Sequence, residues 1–175
     1  TNAIERKENI LCELVEFVLE GQFETTSKLL KDITNDKILF YGAETVLQLY
    51  MAESSEHIRE MYNVSYSLPK TSEIIYKSIT KKFQYIFSDH LKDYDAKDFY
   101  YVELASAGIM RNYMSKPCDM FFTMDMKIEN FLEKSLLLFR VSDEKIKEVL
   151  NKACDLFYSN MNTIINLLNE EVNNG

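Results

Sequence analysis

The chain has little of what interrupts a helix: only four glycines and two prolines stand among its 175 residues. It also lacks any run of alternating apolar and polar residues, the mark of a half-buried strand. These two absences exclude a strand-rich fold and leave long helices with few breaks. No apolar stretch reaches the ~18 uninterrupted residues that a membrane span needs. Nor does a basic segment followed by an apolar one mark a secretory leader, so the expected compartment is the cytoplasm.

Chemical motifs are just as scarce. Three cysteines, Cys12, Cys118 and Cys154, are too few and too far apart for a disulfide framework or a CxxC metal site. Reduced thiols are the default; Cys118, beside Pro117 in a loop, is the one candidate for redox sensing. Only two histidines occur, and a di-iron bundle needs two Glu-x-x-His pairs. Ser54 precedes His57 at that spacing and Phe87 precedes His90, so that enzyme class is excluded. No Gly-rich phosphate loop, GxSxG elbow or HExxH helix is present. The expectation is a protein that is not an enzyme, with no catalytic residues, no metal and no cofactor. Basic residues are outnumbered as well, giving a net charge of −8 and a pI near 4.9. Such a surface repels the phosphate backbone, so the chain by itself should not bind DNA.

What is present is 46% hydrophobic residues, enough for a sizeable core in one globular domain over residues 1–175. Their spacing predicts an all-α bundle of about seven helices. The first runs from Ile4 to Ile33, with Ile10, Leu11, Leu14, Val15, Val18 and Leu19 in helical rhythm and Gly21 as an interior weak point. Thr34-Asn35-Asp36 supplies capping types for a second helix, Lys37 to Ala52, apolar nearly all round and so expected at the centre. A short polar segment from Ser54-Ser55 through Met61, Tyr62 and Tyr66 stops at Leu68-Pro69. Longer helices follow over Lys70 to Leu91, Ala96 to Ser115 and Met124 to Phe139. Ser142-Asp143-Glu144 starts a last helix whose apolar positions run from Ile146 to Leu168, and the tail from Val172 is expected to fray.

The charged lead-in Glu5-Arg-Lys-Glu-Asn9 enters the first helix with no capping residue ahead of it, and Lys7, Glu8, Ile10 and Leu11 form a K-E-x-[IL]-L step. This step resembles the first effector-domain helix of TetR-type bacterial transcription regulators. The order of elements is similar too, and so is the segment from Phe131 to Ile146, an apolar helix, a short turn and an acidic helix start. The resemblance implies the C-terminal effector-binding and dimerisation half of a repressor. Residues 1–9 would then lead in from an N-terminal helix-turn-helix head, and DNA would be reached only through that absent head. It further implies a small-molecule effector inside the bundle and a homodimer made by late helices.

Two sets of residues carry those expectations. Eleven Tyr, eleven Phe and eight Met are many for this length, and aromatic walls with a few hydroxyls suit a planar or amphipathic ligand. Tyr62, Tyr66, Phe83, Phe87, Met110 and Tyr113 are the expected pocket, with a hydrogen bond from His90 as an addition. Ordinary core packing is the plainer reading for each. Phe131, Leu132, Leu136 and Phe139, together with Leu150, Phe157 and Ile164, are the expected dimer interface. Ala105 and Gly108, in the small-residue run, are where helices of two subunits would cross. The rival function is a helical scaffold or protein-interaction module. A sensor should hold an internal cavity of several hundred Å³, whereas a scaffold should be solid with an exposed groove.

Overall fold

A computed structural model describes residues 2–174, without the side chains at 168, 171, 172 and 174. Among the described residues there are eight helices and no strand: α1 (Asn2–Leu30), α2 (Lys37–Ser54), α3 (Glu56–Ser67), α4 (Pro69–Phe87), α5 (Ala96–Ser115), α6 (Met124–Leu138), α7 (Asp143–Ser159) and α8 (Met161–Asn174).

The starts of these helices follow from side chains that accept otherwise unpaired backbone N–H groups. Asp36 accepts from Ile38 and Leu39 at the start of α2, and Ser55 from Ile58 at the start of α3. Pro69 opens α4, where its missing N–H costs nothing. Asp95 and Asp98 form a reciprocal capping box on α5. Thr123 caps α6 and Ser142 caps α7. The end of α6 is less conventional. Arg140 adopts φ 55°, a left-handed position that usually favours glycine. Its N–H reaches the Leu137 carbonyl, while Val141 N–H returns to that of Leu136.

Helix α2 is the hub, packing against α1, α3, α4, α5, α6 and α7. Val46 and Leu49 on it are fully buried. The central place expected for this helix from its apolar sequence is the place it takes. Its closest neighbour is α7: a Cβ added at Gly42 would lie 2.5 Å from Val149 Cγ1 and 3.3 Å from Ala153 Cβ. Gly42 therefore sets the α2–α7 distance. At Gly21 and Gly108 an added Cβ meets nothing within 4 Å. The small-residue run on α5 is thus not a close helix crossing within the chain, and α1 continues as helix through Gly21.

Below the hub, Tyr41, Phe83, Phe87 and Phe139 form an aromatic cluster. Phe87 stacks on Phe139 with centroids 3.8 Å apart, and Phe83 meets Phe139 edge-on at 4.7 Å. Such pairs add roughly 0.5–1.5 kcal/mol each beyond their burial.

Two expectations about elements need correction. The last predicted helix is two, because the chain turns at Asn160 (φ −118°, ψ 20°). There Asn160 donates its side-chain amide to the Leu156 carbonyl, while its own carbonyl accepts from Ile164. The break sends α8 back along α1, and α8 is helical to Asn174. On α1, the buried seam is Cys12, Val15, Leu19, Gln22, Thr25, Thr26 and Leu30, leaving Ile10 and Leu14 facing outward. No helix among the described residues is long and apolar enough to cross a membrane.

Candidate functional site

Three helices each turn one face toward a common chamber. On α2 that face is Tyr41, Glu44, Thr45 and Gln48; on α4 it is Ile79, Lys82, Phe83 and Ile86; on α5 it is Glu103, Ser106, Ala107 and Met110. In every case the spacing is i, i+3, i+4, i+7, so each set is one stripe of its helix. Tyr66 of α3 and Phe131 of α6 complete the lining. The cavity is about 40 Å³ and only partly enclosed. That is room for a few water-sized groups, well short of the several hundred Å³ expected of an open effector pocket.

The lining is unusual in its charge. Glu103 is 2% exposed and Glu44 8% exposed. Lys82 Nζ lies 3.4 Å from Glu44 Oε1 and donates at 2.9 Å to the backbone carbonyl of Leu19 on α1. The same ammonium sits 5.1 Å over the ring of Phe23, also on α1. One lysine therefore faces two carboxylates. Burial pushes the Glu44 carboxyl up despite the Lys82 charge and hydrogen bond. Burial pushes Glu103 well above the ordinary carboxylate range, and the Lys82 charge is the one opposing influence. Tyr41 is raised to about 12 by burial, against hydroxyls of Ser135, Thr45 and Ser106 that favour its anion. Tyr66 is raised too, by burial and then by the negative charge of Glu103. Both phenols are neutral hydrogen-bonding groups at any physiological pH.

The seam between α1 and the chamber is polar as well. Gln22 donates to the Tyr62 hydroxyl, while its side-chain oxygen Oε1 and the Thr25 hydroxyl are buried without a partner. An unmet polar group of this kind costs about 1–3 kcal/mol.

The expected pocket residues divide. Tyr66, Phe83 and Met110 line the chamber. Tyr62 lies one step outward, against Gln22. Phe87 belongs to the aromatic cluster, and Tyr113 meets Phe122 and Phe131 beside a surface groove. His90 Nε2 approaches the Phe139 carbonyl at 3.1 Å and that of Arg140 at 3.3 Å, so it serves the end of α6 rather than a pocket. Sequence reasoning missed Glu44, Gln48, Lys82, Glu103 and Ser106. The signal was there: polar side chains in helical spacing on otherwise apolar faces.

The expected dimer residues divide too. Phe131, Leu132, Leu136, Phe139, Phe157 and Ile164 are at most 2% exposed within the single chain. They close its own core, which leaves them no free surface for a second copy in this arrangement. Leu150 is partly buried, and Ala105 and Gly108 are exposed on α5 beside Tyr101 and Leu104.

Elsewhere, Cys12, Cys118 and Cys154 are free thiols. Burial raises the Cys118 thiol above its ordinary value, which disfavours the reactive thiolate. Cys118 instead donates its backbone N–H to Glu53, whose carboxylate also meets the ammonium of Lys127 at 2.8 Å. Among the described residues no group of three or more His, Cys, Asp or Glu side chains converges as a metal site. The loop between α5 and α6 is a tight turn in which Asp119 accepts from Phe121 and Phe122, leaving Met120 and Phe121 more than 80% exposed. Set against known proteins, the chain matches no family model, no curated protein and no solved structure.

Proposed function

We propose that this chain is a ligand-sensing domain of the TetR-type effector class, in which a small molecule entering the α2–α4–α5 chamber shifts α1. One observation carries this reading: Lys82 joins the chamber to α1. Its ammonium bridges the Glu44 carboxylate and the Leu19 carbonyl, two residues before Gly21. A ligand that competes for Glu44 or repels Lys82 weakens the hold on α1 at the point where its seam turns polar. The cavity volume fits a head group alone, so a larger effector selects a more open arrangement of the bundle. Its differential affinity for the two arrangements is the whole of the driving force. In a regulator, the displaced α1 would carry the signal to an attached DNA-reading head, and a homodimer would set the spacing of two such heads.

The test is native mass spectrometry of the purified chain followed by hydrogen exchange of α1. A dimer near twice 20.6 kDa that carries extra small-molecule mass, with α1 exchange changing when that mass is removed, is the expected result. A clean monomer with no adduct overturns the reading. The rival, a scaffold that docks another protein, is favoured by the small chamber of about 40 Å³ and by the Met120–Phe121 tip, an exposed hydrophobic pair on a hydrogen-bonded turn.

A further inference from the structure

The charge balance of the chamber narrows what can enter it. Lys82 directs its contacts to Glu44 and to the Leu19 carbonyl, which leaves Glu103 with that lysine's field but no hydrogen bond among the described residues. A carboxyl group that is 2% exposed and lacks a donor is costly in either protonation state. The rest of the lining offers neutral acceptors and rings: Thr45, Gln48 and Ser106 beside Tyr41, Tyr66 and Phe131.

We infer that the chamber takes a primary ammonium cation, with Glu103 as its counter-charge; this rests on the sensing role proposed above and names the ligand's chemistry. An ammonium brings three donors to a site whose unmet need is donors. It also balances the second carboxylate, and its positive charge suits aromatic faces. An anion would meet two carboxylates across a low-dielectric space. A neutral alcohol could offer Glu103 one hydrogen bond and no charge. The cavity of about 40 Å³ accommodates the ammonium head, while the body of the ligand requires the bundle to part.

The proposal has a signature in protons. The titratable groups facing Glu103 are Tyr41 and Glu44 on α2, Tyr66 on α3 and Lys82 on α4. The two phenols stay neutral, so the carboxyls are the groups that respond. Burial favours the protonated form of Glu103, and pairing with a cation favours its carboxylate. Binding therefore expels a proton and tightens as pH rises.

The experiment is calorimetric titration of the full chain with benzylamine, and with benzyl alcohol and benzoate as neutral and anionic matches. It is run at about pH 6 and about pH 8 in buffers of different ionisation enthalpy. The amine is expected to bind at least about tenfold more tightly than the alcohol, with proton release and higher affinity at the higher pH. Glu103→Gln should remove most of the amine's preference over the alcohol. This substitution also removes a buried unpaired acid, so its melting temperature should equal or exceed that of the parent, which separates lost binding from lost fold. If the alcohol or benzoate binds as well as the amine, or if Glu103→Gln leaves the amine unaffected, the cation assignment falls and the sensing role stands. If none of the three binds, both fall.

Discussion

Lys127 is 1% exposed, yet it carries a charge into the α5–α6 corner. It is tolerated there because Glu53 of α2 supplies a carboxylate at 2.8 Å and the Lys116 carbonyl accepts a further bond. A buried pair of this kind adds little net stability, but removing one partner strands the other. Glu53→Gln is therefore expected to cost about 2–4 kcal/mol, read as a lower denaturant midpoint with an unchanged slope. Lys127→Met with Glu53→Gln should recover part of that loss, since the buried ammonium is then gone, although Arg59, 3.6 Å from Glu53, still loses its carboxylate. The corner also fixes Cys118, so the single variant should make that thiol measurably more accessible to a maleimide.

At the scale of the helix, glycine position decides the sign of a mutation. Gly42→Ala places a methyl 2.5 Å from Val149 Cγ1, so α7 must move away; a loss of about 1–3 kcal/mol is expected. Gly21→Ala meets open space and should add about 0.5–1 kcal/mol through helix propensity. Thermal melts of the two variants should move in opposite directions, and any common direction would refute this account of the packing. If α1 transmits a signal, Gly21→Ala should also blunt the α1 exchange response to a bound ligand. The elements themselves were largely legible in the sequence, because Asp36, Ser55, Asp95, Thr123 and Ser142 announce helix starts by local hydrogen bonding. The turn at Asn160 was not, since no glycine or proline marks it and apolar spacing continues on both sides. The chamber was harder still. Aromatic residues drew attention by their number, yet Phe87 and Phe139 simply stack in the core. Glu44, Lys82 and Glu103 are ordinary helix formers, and only the packing of three helices brings them together.

For the molecule as a whole, opposite pKa shifts bound the pH range of stability. Asp36 and Glu53 are lowered; burial raises both, but the Lys145 bond and the backbone donors outweigh it at Asp36, as Lys127 and Cys118 do at Glu53. Their contribution is complete above the ordinary carboxylate range and is lost as pH falls through the depressed values. Glu103 and Glu44 are raised by burial, so between the ordinary and the elevated values the folded chain binds more protons than the unfolded one. Their contribution is complete below the ordinary range and is lost as pH rises through the elevated values. Stability should therefore peak on the mildly acidic side of neutrality and decline toward alkaline pH. Denaturant titrations across that range should show the decline flattened in Glu103→Gln. An equally steep decline in the variant would mean that Glu103 is not the group responsible.

The pairing of α8 with α1 has a bearing on how the protein is made. A ribosome delivers α1 first, but the helix that lies along it follows more than a hundred residues later. During that interval α1 has α2 and α4 to pack against, while the part of its surface that meets α8 stays open. Nascent chains stalled before Met161 should therefore keep α1 open to ribosome-associated chaperones, and release of the final helix should end that association.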